Sequence, residues 1–431
     1  MSVVALALLL AAAPPDARDT LRLPALQDAA VRRDPRTGEY ALQEAATRLR
    51  LRDFAAERFP QLTAGAQATR QSEVPAIPVN IPGVVVPIPP KSHYEATLDV
   101  SQTLYDGGVP SRRGDVEEAQ LAVERAQLEA TLYPLRTQVA EAFFNAFLLQ
   151  ERMAEIGTLI EDLEARLELL RAQVREGAAL PGDTAAVLAE ALSAGEDRRE
   201  AAANRRAALA VLSELTGRPV TEDDVLALPD LSAQVARART AEGPTPAALR
   251  AHPQNAVYRA QRERLAQEVR LSKAQERPQL SAFGQLAYGR PGLAQFPKEL
   301  HEYWLVGIRL RWTPWSWGVP GREREVLELR RQMVDAEREA FADELTRQVQ
   351  DDLQTMDRLE ATLATDERIV VLREQVERQA RAQLAERVVT PSEYVDVRTD
   401  LQQARLARER HRVELARARA RYLTTLGLGL R

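Results

Sequence analysis

Apolar residues recur every seven positions in the first half of the chain: Leu121, Leu128, Leu135, Ala142, Leu149, Ile156, Leu163 and Leu170. A second seam, Leu132, Val139, Ala146, Met153, Ile160, Leu167 and Val174, lies four residues on. Two such seams predict a coiled coil, because a period of 3.5 keeps one stripe on a partner helix. The helix over 111–176 would be roughly 100 Å long at 1.5 Å per residue, with Pro134 inside it as a kink or a cost of about 3 kcal/mol. The second half keeps the latter seam as Ala342, Val349, Met356, Leu363, Val370 and Leu384, broken only at Glu377.

The seams belong to a larger repeat. Gly108-Val109-Pro110 returns as Gly318-Val319-Pro320, and the same offset of 210 brings Pro181 onto Pro391, Asp183 onto Glu393 and Gly217 onto Gly427. Further upstream, Asp34-Pro35 returns as His252-Pro253, and Pro60-Gln61-Leu62 as Pro278-Gln279-Leu280. One supersecondary unit is used twice. The expected organisation is repeat 1 over 18–217, a linker over 218–244 and repeat 2 over 245–431. Their long helical hairpins fall at about 109–216 and about 319–426.

Between each short first helix and its hairpin the period changes to two. Leu62, Ala64, Ala66 and Ala68 alternate with polar or small residues, as do Tyr94, Ala96, Leu98 and Val100. Repeat 2 gives Leu280, Ala282, Leu286 and Tyr288, then Trp304, Val306, Ile308 and Leu310 opposite Arg309 and Arg311. This is the alternation of two-faced strands, expected at about 61–72, 93–105, 279–289 and 302–313, with the length of tilted membrane strands. Tyr94, Tyr105, Tyr288, Trp304, Trp312 and Trp315 are candidate membrane-interface aromatics. A proline-studded stretch over 73–92 reads as an extended strand-connecting loop. A soluble sandwich is the competing reading of the alternation. In lipid, four strands leave open edges and cannot close a barrel alone. A trimer would supply twelve strands and a tetramer sixteen, continued by coiled coil. The fold class expected is therefore mainly α with membrane β-strands, in two tandem repeats of helix–strand–strand–long helical hairpin, and the assembled object is a conduit.

Composition adds exclusions. The net charge is −5 with 28% charged residues, so nucleic acid is not an expected partner. Cysteine is absent, which excludes disulfides, thiol catalysis and thiolate metal sites. Residues 1–17, MSVVALALLLAAAPPDA, have the apolar run and small residues of a secretory signal peptide. His93, His252, His301 and His411 are scattered and read as surface or loop residues. With no catalytic constellation and no glycine-rich phosphate loop, no enzyme activity, cofactor or metal is expected.

The order of elements and the two tip runs, EGAALPGDTAAVLAEAL at 176–192 and ERVVTPSEYVDVRTDLQQARL at 386–406, resemble the TolC-like outer-membrane efflux proteins (outer membrane factors). The resemblance spans nearly the whole chain. It implies a homotrimer with a 12-stranded β-barrel in outer-membrane lipid, continued by an α-helical coiled-coil tunnel into the periplasm of a Gram-negative bacterium. It implies as partners a periplasmic adaptor (membrane fusion protein) and an inner-membrane efflux pump or ABC exporter, in tripartite efflux or type I secretion. On the matching tip positions it implies adaptor contact through Gly177, Leu180, Pro181, Val388, Thr390 and Pro391. It also implies a periplasmic gate of lumen-facing acids at Asp183, Glu393 and Asp396. Helix capping is the competing role of Asp183 and Glu393, since acids in a first turn favour the helix dipole. Arg387 stands where the family pattern of Gly177 expects glycine. The alternative function is a periplasmic coiled-coil adaptor or structural scaffold.

Overall fold

The computed structural model describes residues 20–74, 89–240, 246, 250–290, 299–386 and 388–430. The expected signal peptide, Arg387 and most of the proline-rich loop lie outside them. In chain order the elements are β1 (Thr20–Leu21), α1 (Leu23–Arg33), α2 (Arg36–Ala56), β2 (Gln61–Arg70), β3 (Ser92–Tyr105), α3 (Val109–Arg175) and α4 (Pro181–Thr216). Then follow β4 (Val225–Leu226), α5 (Ser232–Thr240), α6 (Pro253–Gln275), β5 (Gln279–Arg290), β6 (His301–Arg311), α7 (Val319–Ala385) and α8 (Pro391–Thr425). Helices α3 and α7 are 67 residues each, and Pro134 lies inside the unbroken α3.

The chain forms two compact units that cut across the repeat, each drawing on both halves. One comprises the described residues within Met1–Thr37, Glu129–Asn255 and Ala340–Arg431; the other comprises those within Gly38–Leu128 and Ala256–Glu339.

The first unit has a contiguous core of Phe143, Phe144 and Phe147 from α3, Leu209 and Leu212 from α4, Val349 and Met356 from α7, and Tyr422 and Leu423 from α8. The segment after α4 joins it: Val220, Leu226, Leu231 and Val235 are buried there, and β4 pairs in parallel with β1. Buried Arg205 ties that segment down, donating to the Glu222 carbonyl at 3.0 Å and the Asp224 carbonyl at 2.9 Å. A second cluster packs Ile156, Leu159, Leu163, Leu167 and Leu170 against Val187, Ala194 and Val395.

Burial refines the heptads. Leu132, Val139, Ala146, Ile156, Leu163, Leu167 and Leu170 are buried as expected, but Leu121, Leu128, Leu135, Ala142 and Leu149 are only half-buried. Ala140, Phe143, Phe144 and Phe147 are buried there instead. In that stretch α3 faces more partners than one coiled-coil mate, so its buried stripe widens. In α7 a second seam, Leu345, Asp352, Leu359, Asp366 and Ala380, places carboxylates at core positions. Half-buried His411 is no bare surface residue either: its Nδ1 bonds the buried Asp366 side chain.

The second unit carries a four-stranded antiparallel sheet in the order β2-β3-β5-β6. In the same unit, α2 is tied to the start of α3 by ion pairs, Arg113 to Glu57 at 3.0 Å and Arg50 to Glu117. Arg262 on α6 pairs with Asp335 on α7 at 3.0 Å.

Candidate functional site

The pairing register turns the two-faced strands into a two-faced sheet. Ala64, Leu98, Leu286 and Trp304 form one cross-sheet row, and Leu62, Val100, Gly284 and Val306 the next. The rows between them are Thr63-Asp99-Gln285-Leu305 and Gln61-Ser101-Phe283-Gly307, on the opposite face. Coverage runs opposite to that of a water-soluble sheet. The apolar face is open, with Trp304 70%, Val306 67%, Ile308 69% and Leu310 65% exposed. On β3 the polar-face residues Glu95, Thr97 and Asp99 are the half-covered ones, and on β5 Ala287 is buried. Cross-strand bonds tie the polar face: Gln285 Nε2 donates to Asp99 Oδ1 at 2.8 Å, and the Tyr303 hydroxyl donates to Glu95. An exposed apolar face backed by a polar one is what a strand layer in lipid requires.

All six interface aromatics are exposed. Tyr94, Tyr288 and Trp304 lie toward the loop ends of their strands, while Tyr105, Trp312 and Trp315 lie at the helix ends. From Tyr94 to Tyr105 along β3 is about 36 Å at 3.3 Å per residue. A tilt of about 40° reduces that to about 28 Å, close to the apolar band of a membrane barrel.

At the hairpin tips the two repeats close alike. Gly177 (φ 72°) ends α3, with Ala178 N donating to Gln173 O at 2.7 Å and Gly177 N to Val174 O at 3.0 Å. This is the αL stop that glycine permits without a Cβ clash. In repeat 2 the matching bond, Val388 N to Gln383 O, is 2.8 Å. Leu180 and Val388 are 71% and 70% exposed, and Pro181 and Pro391 each open a helix.

The three tip acids are not equivalent. Glu393 Oε2 accepts from Thr390 N at 2.7 Å and Thr390 Oγ1 at 3.0 Å, and Thr390 Oγ1 accepts from Glu393 N at 3.2 Å. This is a reciprocal capping box. The backbone and hydroxyl bonds from Thr390 hold the Glu393 carboxyl below its ordinary range. Asp183 Oδ2 accepts from Leu180 N at 3.1 Å. Asp396, one turn further on and exposed, makes no such cap.

Above the tips lies a polar joint absent from the heptad reading. Buried Arg398 on α8 holds Asp162 on α3, with Nε at 2.9 Å. The Tyr394 hydroxyl donates to buried Glu377 at 2.8 Å, Arg381 Nε donates to the same carboxylate at 2.9 Å, and Arg166 lies 4.7 Å over the Tyr394 ring. Burial and the Glu377 bond push the Tyr394 phenol up. The sequence signal was Glu377 breaking the apolar seam. Among the described residues no group of three or more His, Asp or Glu side chains could hold a metal, and no helix is long and apolar enough to cross a membrane.

No protein-family model matches the chain. No curated protein sequence matches it either. Solved structures do. CusC, described in connection with transmembrane channel formation, is 16% identical over 94% of this chain and 92% of its own, with a TM-score of 0.69. The MtrE outer membrane channel of Neisseria gonorrhoeae, in its open state, is 19% identical over 95% and 90%, with a TM-score of 0.65. The outer membrane protein VceC of Vibrio cholerae is 16% identical over 95% and 97%, with a TM-score of 0.63. Over nearly its whole length, this chain has the fold of these outer-membrane channel proteins.

Proposed function

We propose that the chain is the outer-membrane channel component of a tripartite efflux or type I secretion system, a passive conduit rather than an enzyme. The observation that carries this reading is the inverted sheet: an exposed apolar face over four strands whose edge strands, β2 and β6, have no second strand partner among the described residues. Open edges in lipid leave backbone groups unsatisfied, so copies must close the sheet. Three copies give twelve strands. Apolar helix faces also need covering: Leu42 and Leu49 on α2, and Val326, Leu329 and Met333 on α7, are all exposed. Together with the fold of outer-membrane channels, this supports a homotrimer in the outer membrane of a Gram-negative bacterium, its helical tunnel in the periplasm.

The exposed tip residues Leu180 and Val388, with Gly177, Pro181, Thr390 and Pro391, are the proposed contact for a periplasmic adaptor, itself joined to an inner-membrane efflux pump or ABC exporter. Asp183, Glu393 and Asp396 are the proposed gate, with Asp396 the acid free of capping duty. The test is fractionation and mass in mild detergent. The expected result is recovery from outer membranes as a species near three times 48.0 kDa plus micelle, losing its barrel only on strong heating. Recovery as a soluble periplasmic monomer would instead support the adaptor or scaffold reading.

A further inference from the structure

The register sorts the charges of the polar sheet face into tiers. Arg309 lies opposite Ser281 and Arg311 opposite Gln279, at the end of β6 that runs into α7. Asp99 lies in the row of Gln285 and Leu305, and Glu95 in the row of Gly289 and His301, toward the loops. Along the strand the Arg309 tier is about 13 Å from that of Asp99 and about 26 Å from that of Glu95, at 3.3 Å per residue. The hydrogen-bond partners of these acids, Gln285 and Tyr303, are neutral donors rather than cations. Among the described residues no carboxylate pairs with Arg309 or Arg311.

Arg309 is also positioned. Its guanidinium lies 4.8 Å over the Phe283 ring. That ring in turn lies across Gly307, where an added Cβ would stand 2.7 Å from Phe283 Cζ. Glycine at 307 lets the ring lie flat on the sheet, and the ring then holds a cation whose N–H groups stay open. A guanidinium stacked on an aromatic presents a planar fork matched to carboxylate or sulfonate, beside an apolar shelf.

We propose that Arg309, Phe283 and Arg311 form an anion-attracting ring at the helix-side mouth of the barrel, selective for aromatic anions, with the Asp99 and Glu95 tiers as an opposing belt beyond it. The inference rests on the channel reading, which sets three copies of each residue around one lumen. Six guanidinium groups then face one lumen, each acting over a screening length of about 8 Å at physiological salt. Solutes bearing a carboxylate or sulfonate on an aromatic ring are favoured at this mouth over cations of the same size.

The test uses the purified full-length protein in planar bilayers, with benzenehexacarboxylate added on the side of the strand-connecting loops. The parent channel is expected to be blocked at a concentration at least fivefold below that needed for Arg309→Gln/Arg311→Gln. Arg309→Lys/Arg311→Lys should fall between the two, keeping charge but losing the fork. Phe283→Leu should weaken block by benzenehexacarboxylate more than block by aliphatic citrate, and Asp99→Asn/Glu95→Gln should strengthen both. Equal block of the parent and the double glutamine variant, both conducting, overturns this proposal and leaves the channel reading standing. A parent that assembles in the bilayer yet never conducts overturns both.

Discussion

Trp317 holds, at φ 56°, the left-handed backbone conformation that its repeat counterpart Gly107 holds at φ 68°. Among the described residues it is the one non-glycine with positive φ, its indole is 80% exposed, and its ring meets Trp315 at 6.1 Å. A bulky residue in this conformation costs about 1–2 kcal/mol.

The strain predicts an ordering of variants. Trp317→Gly should exceed Trp317→Ala by about 1 kcal/mol in detergent-solubilised protein, because both lose the indole and only one loses the strain. Gly107→Ala should be worse than Trp317→Ala, since its Cβ would also meet Arg277 Cβ at 3.0 Å and Ala274 O at 3.2 Å. Thermal midpoints of the three variants check this; an alanine at 317 as stable as glycine would remove the strain from the account.

Burial ranks the substitutions in the tip-side cluster. Leu163 is 3% exposed, so Leu163→Asp buries an unpaired charge, costs several kcal/mol and should prevent assembly. Ile160, only half-buried beside the same cluster, should tolerate aspartate better. Glu161→Gln, on the exposed face, should stay within about 0.5 kcal/mol. Yield of assembled oligomer after extraction gives the order.

His252 predicts an acid-dependent step. It caps α6, its Nδ1 accepting from Gln254 N at 3.1 Å, as Asp34 Oδ1 accepts from Arg36 N at 3.0 Å in repeat 1. The ring lies between Tyr133 at 5.4 Å and Phe341 at 4.9 Å, and burial lowers its pKa from 6.5. The unfolded chain therefore binds the proton more readily. The stabilising contribution is complete above 6.5 and is lost as pH falls from there through the folded value. His252→Asn keeps a capping acceptor without titrating, so its melting temperature should fall less than the parent's between about pH 7 and pH 5. Parallel slopes would assign the acid sensitivity elsewhere.

The tip acids should separate in two measurements. Asp396→Asn should lower cation preference in single-channel recordings and leave hydrogen exchange at the start of α8 unchanged. Glu393→Gln disturbs a capping box and should speed exchange there, at a cost of about 0.5–1 kcal/mol. If Asp396→Asn leaves selectivity untouched in an assembled channel, Asp396 is not part of the gate.

Local pattern determined much of this protein. The 3.5-residue seams and the Gly-Val-Pro repeat placed the long helices within a few residues of Val109–Arg175 and Val319–Ala385. Strict alternation fixed which strand residues share a face, because side-chain period in a strand does not depend on the partner. Hydrophobicity could not reveal polar groups that satisfy one another across helices. Glu377 looked like a defect in a seam until Tyr394 and Arg381 stood beside it, and Asp366 met His411 from another helix. Nor could it distinguish a capping acid from a free one: Glu393 and Asp396 differ only in what the fold brings within hydrogen-bonding reach. Only the sheet register set Phe283 beside Gly307 and Arg309. Period is a property of one element, whereas pairing belongs to two, and only tertiary structure sets the distance between them.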